Sequence, residues 1–279
     1  MNRFNGFLHH LLITLKLNFR NPQAIVMGYL VPIFFLLAFG SIFNTSRMRM
    51  SDQMGQLLTI SILGGACFGL PIAFVSERER GVWRRYKLTP MPTWVFVVSL
   101  VVGRYLLVLT AGIIQVGLAM ALYKMPMPKH PVQMTIAFTL ASFAFLGVGL
   151  VIAMLANSAT AVQAWGQAIF LPMIMIGGIG VPLRMLPKWG LHVAAFLPGR
   201  YSMQAIEGAV RKTGIFAEWY SLLALVLIGA AGFLAGVKLF RWENNQKVGK
   251  SGLMWAAVAA GVWMVVGLGA EILHLVKKI

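Results

Sequence analysis

The residue types that most often carry chemistry are scattered in this chain. Its five histidines, at positions 9, 10, 130, 192 and 274, have no metal-ligand spacing beyond the adjacent His9–His10 pair. Its one cysteine, Cys67, lies inside an apolar run, so neither an intrachain disulfide nor a cysteine-based metal centre can form. No serine has a matching His/Asp constellation, and no paired carboxylates sit on an apolar run. The segment NNQKVGKS at 244–251 ends like a phosphate-binding loop, but its first glycine is missing and an apolar helix, in place of a strand, precedes it. Enzyme chemistry has no foothold, and neither a metal nor a cofactor is expected in this chain. The seven acids are Asp52, Glu77, Glu79, Glu207, Glu218, Glu243 and Glu271, and all but Glu271 fall in loops or at the edges of apolar runs. Proton and sodium pathways need ionisable groups buried within spans, so energy is expected to come from a partner.

One stretch does concentrate charge. Glu77 to Pro92 reads ERERGVWRRYKLTPMP and places seven charges in eleven residues between two long apolar runs. Each ion at mid-membrane costs at least ~2.5–3.5 kcal/mol, so this stretch is a loop in water or a short surface helix. Val82, Trp83 and Tyr86 fall near one helical face, with Arg84, Arg85 and Lys87 around the rest, and Pro90 and Pro92 end the helix. Such a segment is either a basic cytoplasmic loop or a docking helix for a partner protein.

The elements that must position it are membrane helices. Of 279 residues 59% are hydrophobic and 11% charged, against roughly 25% charged in soluble domains, and the mean hydropathy is +0.79. The fold class is an all-α polytopic membrane protein with no room for a separate soluble domain. The net charge of +17 is dispersed without a continuous basic face, which favours anionic lipid over nucleic acid as its partner. Residues 3–20 carry Phe4, Phe7, Leu8, Leu11, Leu12, Leu15 and Phe19 at helical spacing, the pattern of a helix lying in the membrane interface, and Asn21-Pro22 ends it. The first residues do not form a cleavable signal.

Seven apolar runs follow, about 24–43, 54–76, 93–123, 132–156, 162–183, 215–240 and 251–276, each long enough to span a membrane. The third would reach about 46 Å as a helix, so part of it protrudes or lies in the interface, with Arg104 marking the boundary by snorkelling. Ser61, Gly65 and Gly69, and Gly232 with Gly236, repeat every four residues as helix-packing positions. The polar residues that could face a pathway are Thr59, Gln115, Asn157, Gln163 and Gln167, and most of them serve equally well as interhelical hydrogen bonds.

The acidic-basic start at Glu77-Arg78, then Gly81, then the Leu88-Thr89-Pro90 exit resemble the loop between spans two and three of type-2 ABC exporter permeases. Residues 177–214, with their glycines, Pro182, Leu186-Pro187, Trp189, Leu197-Pro198 and Tyr201, resemble the external loop between spans five and six of that family. The resemblance covers about residues 1–245. It implies an N-terminal interfacial elbow helix (3–20), six core transmembrane helices, and a coupling loop (77–92) that docks through Glu77, Arg78, Gly81, Val82, Trp83, Tyr86 and Pro90. It also implies an external re-entrant region (180–214) gated near Pro182, Pro187, Pro198 and Tyr201. The implied protein is a permease in the prokaryotic plasma (inner) membrane, paired with itself or a sister permease, beneath which ATP-binding subunits hold the ATP and Mg. Residues 246–279 depart from the six-span pattern as a seventh helix that would leave the C-terminus outside. Counting Lys and Arg on either side gives twelve against eleven, so orientation rests on the resemblance. Apolar surroundings for the pathway suit export of a hydrophobic or amphipathic molecule, such as a drug, lipid or lipid-linked compound. The rival reading is a non-transport membrane protein, an immunity factor or assembly scaffold, that docks a cytoplasmic partner through the basic loop.

Overall fold

The computed structural model describes residues 3–20, 25–45, 50–88, 92–210, 214–242 and 249–275, and all secondary structure among them is helical. Helix α1 (Arg3–Arg20) lies against the first half of a long helix, α5 (Thr93–Tyr123). Its His10 ring nitrogen is 2.5 Å from Ser99 Oγ and its Thr14 meets Gly103. Leu8, Leu12, Leu17 and Phe19 of α1 stay exposed. A helix that buries its small polar residues and presents leucines outward is suited to the membrane interface.

Among the described residues, five helices are long and apolar enough to cross a membrane. They are α3 (Met54–Glu79), α5, α6 (Pro131–Leu155), α10 (Trp219–Lys238, entered through a 3-10 turn at Ile215–Glu218) and α11 (Lys250–Ile272). The expectation of seven full-length spans is therefore met in part. The first run forms a π-helical turn (Val26–Leu30) continued by α2 (Val31–Thr45), with a shorter apolar helical stretch over Gly28–Ser41 among the described residues. The fifth run forms the 17-residue helix α7 (Ala159–Met175) and then leaves helical geometry. Pro172 lies in its last turn, and Gly178 beyond it takes φ +84°. A hydropathy window cannot register that break, because residues 176–183 remain mostly apolar around it.

Short elements link the spans. Helix α4 (Val82–Lys87) follows α3 directly, and α8 (Lys188–Ala195) and α9 (Pro198–Val210) lie between α7 and α10. The most extensive helix pairing is α6 with α10, where a Cβ at Gly232 would lie 2.7 Å from the Gly147 carbonyl carbon. Backbone approach of this kind replaces the hydrophobic drive that helices lack in lipid. The Ser61, Gly65, Gly69 repeat faces α5: Ser61 donates to Gln115 (2.5 Å), Gly65 meets Val108 and Gly69 meets the Arg104 side chain. A π-helical turn at Gly64–Gly69, inside α3, lies along this contact.

Helix α11 runs back along α10. Lys238 near the end of α10 lies 5.8 Å from the centre of the Trp255 ring near the start of α11, while Tyr220 near the start of α10 donates to Val266 O (2.5 Å). The connections thus gather at two opposite ends. One holds α4, the start of α5, and the ends of α6 and α10; the other holds α8, α9, the start of α10 and the end of α11.

Candidate functional site

The start of the charge-dense stretch, Glu77 to Glu79, forms the last turn of α3, and its centre forms the short helix α4. Helix α3 ends at Arg80, and Gly81 takes φ +70°, a conformation that costs glycine little and other residues more, which turns the chain into α4. Glu79, Arg80, Arg84, Arg85 and Leu88 are exposed, Leu88 at 88%. Trp83 is fully buried. Its indole stacks on Phe240 (5.5 Å, 9°) and meets the edges of Phe74 (5.1 Å) and Phe96 (5.2 Å), and its Nε1 donates to Glu77 Oε2 (3.3 Å). Trp83 therefore ties α4 to α3, α5 and the end of α10, and cannot be the contact surface that its place on the helical face suggests. Val82 is half-buried. Pro90 and the Tyr86 side chain lie outside the described residues.

Beneath this aromatic cluster two arginines converge on the end of α6. Arg78, 5.9 Å from the Trp83 ring centre, donates to Ala156 O. Arg241 donates to Met154 O (2.5 Å) and to Asn157 Oδ1 (3.1 Å). The last carbonyls of a helix have no intrahelical donor and carry its negative dipole end, so guanidinium groups satisfy both needs. Burial lowers the pKa of Arg241 from its ordinary value.

The five polar residues singled out as pathway candidates separate. Thr59 donates to Gly55 O (2.7 Å) and lies 3.0 Å from Ser202 Oγ. Gln115 accepts from Ser61 and donates to Pro32 O (2.9 Å). Both are buried between helices of this chain. Asn157 holds Arg241. Gln163 and Gln167 alone lie exposed on a helix, α7, separated by one turn.

At the other end, Pro182 precedes a 3-10 turn (Leu183–Met185), Pro187 caps α8 and Pro198 begins α9. Tyr201 donates to Ala195 O, and burial raises its pKa above the ordinary tyrosine value. Arg200, 1% exposed, donates to Leu275 O (3.1 Å), and burial lowers its pKa. His192 Nδ1 lies 2.8 and 2.9 Å from the two Glu271 carboxylate oxygens, and Trp263 Nε1 donates to Phe196 O. Helix α11 thus holds α8 and the α8–α9 turn by named polar contacts.

Sequence reasoning missed Phe240, Arg241 and Trp242 at the first end and Arg200, Trp263 and Glu271 at the second. The only local signal for the first set was an aromatic-basic pair immediately after the apolar run 215–240. Among the described residues no group of His, Cys, Asp and Glu is arranged to hold a metal ion.

A family model described as ABC-2 type transporter matches residues 10–210, well over half of the chain. A Bacillus subtilis (strain 168) protein named "Putative transport permease YvfS" is 21% identical over 212 residues, covering 74% of this chain and 85% of its own length. No solved structure matches the chain.

Proposed function

Since the chain belongs to the ABC-2 type transporter family, as a multi-pass, non-catalytic permease subunit of the kind that pairs with an ATP-binding subunit, we propose that the outward face of α4 is where that subunit grips. The surface is Glu79, Arg80, Arg84, Arg85 and Leu88. Glu77, Arg78 and Trp83 stand behind it and carry its displacement into α3, α6 and α10, with Gly81 as the pivot. The observation that supports this reading is the division of α4 itself, whose aromatic side is fixed in the chain while its charged side is left outward. A solvated loop with no transmitting role would not need an indole locked among three rings, from α3, α5 and the segment just after α10.

The cargo we propose is a hydrophobic or amphipathic molecule, exported at the expense of ATP hydrolysed in the partner. Two permease chains, identical or sister, would enclose the pathway, with the exposed α7 row of Gln163 and Gln167 facing it. The region around Pro182, Pro187, Pro198 and Tyr201 would close the external exit. The α11 helix would span the bilayer, because its two ends meet opposite ends of α10.

The test reconstitutes the chain with its ATP-binding subunit. Cysteines at 84 and 85 should cross-link to that subunit, and Arg84→Glu with Arg85→Glu should abolish both association and ATP-dependent efflux without changing membrane insertion. Cross-links that never reach the ATP-binding subunit sink the docking assignment. Efflux that persists without ATP and collapses with the proton or sodium gradient sinks the energy assignment.

A further inference from the structure

Arg104 is 5% exposed, and among the described residues no salt bridge or hydrogen bond engages it. Its guanidinium lies against Gly69, where a Cβ would come within 2.5 Å of the Arg104 Cζ. This contact is at the junction of the two π-helical turns, Val26–Leu30 and Gly64–Gly69, which pack against each other and against α5. Tyr29, from the first π turn, is an electrostatic neighbour of Arg104, and its hydroxyl is 2.7 Å from Thr110 Oγ1. Phe19 of α1 stacks on Tyr29 (6.2 Å, 27°). Wide turns of this kind recur at functional sites, and here two of them frame one cation.

The depth of the site identifies its ligand. Gly103, the preceding residue, meets Thr14 and Leu11 of α1, so Arg104 lies level with a helix suited to the headgroup boundary. The exposed Lys16 and Arg20 of α1 add positive charge to the same side of the membrane. A simple snorkelling arginine would extend into water; this one is enclosed, which is unfavourable for a cation without a counter-charge. Phosphoryl oxygens are the anions abundant at this depth, and the planar guanidinium fork suits them.

We propose that Arg104, framed by the two π turns, is the centre of a binding site for the phosphoryl headgroup of an amphipathic molecule held at the headgroup boundary on the α4 side of the bilayer. The site stands whether or not the ATP-binding subunit grips α4. Snorkelling, the expectation from sequence, is replaced by a role in binding.

The test is native mass spectrometry of the purified chain in dodecyl maltoside, titrated with phosphatidylglycerol and with the diacylglycerol of the same tails. The wild type should hold one phosphatidylglycerol about tenfold more tightly than diacylglycerol. Arg104→Gln should remove that preference, and Arg104→Lys should keep part of it. Competition by dodecyl phosphate distinguishes the sources: displacement means that single-chain phosphorylated amphiphiles enter the site, and failure to displace means a two-chain bilayer phospholipid. Should Arg104→Gln fail to fold, a photoactivatable phosphatidylglycerol on the wild type decides, with labels expected within 26–30, 64–69 or 100–108. A wild type without the preference, a preference that survives Arg104→Gln, or labels confined elsewhere overturns the proposal.

Discussion

At the α4 end, Arg78 and Arg241 spend their guanidinium groups on the last carbonyls of α6, and a stacked cluster of Phe74, Trp83, Phe96 and Phe240 fixes the short helix above them. At the α8–α9 end a third buried arginine, Arg200, also donates to a carbonyl near a helix terminus, that of Leu275. The two ends differ in what they leave outside. Around α4 an outward row of Arg80, Arg84 and Arg85 remains exposed. Around α8 and α9 the exposed residues are mixed, Met185 and Trp189 beside Arg184, Lys188 and His192, while Tyr201, Trp263 and Tyr220 donate inward to Ala195 O, Phe196 O and Val266 O. On the docking proposed above, the first end would be held by the ATP-binding subunit, while the second is tied by contacts within the chain.

The comparison is broken or sharpened by substitutions at each end. Trp83→Ala should have the largest effect, removing the ring shared by α3, α5 and α10 at a cost of about 3–5 kcal/mol, read as a fall in thermal stability in detergent; Trp83→Phe should restore part of it. Next comes Arg78→Ala, which leaves the Ala156 carbonyl without its charged donor and should cost about 1.5–3 kcal/mol, measured by the same melting experiment. At the self-held end Trp263→Phe keeps the ring and removes one hydrogen bond, so about 0.5–1.5 kcal/mol is expected. A loss at Trp263 equal to that at Trp83 would erase the distinction between the ends.

The smallest effect is one of pH. Burial, then the neighbouring His9, lowers the His10 pKa below its ordinary value of 6.5. The neutral ring is therefore favoured in the folded state, so its stabilising contribution is full above pH 6.5 and is lost as pH falls from there through the folded pKa. Hydrogen exchange in α1 should accelerate on acidification across that window, and His10→Gln should flatten the response. An α1 whose exchange ignores pH in the wild type would remove His10 from the account.

How much of this was legible from residues alone depended on range. The position of the short charged helix, the helix over residues 3–20 and the length of the third apolar run are local properties, and local composition carries them. The burial of Trp83 is set by Phe240, far away in sequence, and no window over residues 77–92 contains that ring. Thr59 and Gln115 were open to either reading because a polar residue on an apolar helix looks the same whether it faces a pathway or another helix. The end of α7 was hidden by apolar residues continuing past it, and Arg104 by the ordinary habit of boundary arginines. The small-residue repeat at 61, 65 and 69 was visible, but the π turn that accompanies it was not, since glycine-rich sequence permits such a turn without specifying it.

That turn makes α3 a matter of phase more than of length. Removing one residue from the α-helical part of α3 ahead of that turn would shorten the helix by only about 1.5 Å, a trivial change against the thickness of a bilayer. It would also rotate everything below by about 100°, swinging Phe74 off the indole and Arg78 away from the carbonyl of Ala156. A bilayer tolerates small differences in span length, whereas the joint at Trp83 tolerates no miscount. The wide turn at Gly64–Gly69 holds one residue more than an α turn and could absorb a single deletion by returning to α geometry, whereas insertions or deletions elsewhere upstream of Glu79 should be far less acceptable than their effect on hydropathy suggests.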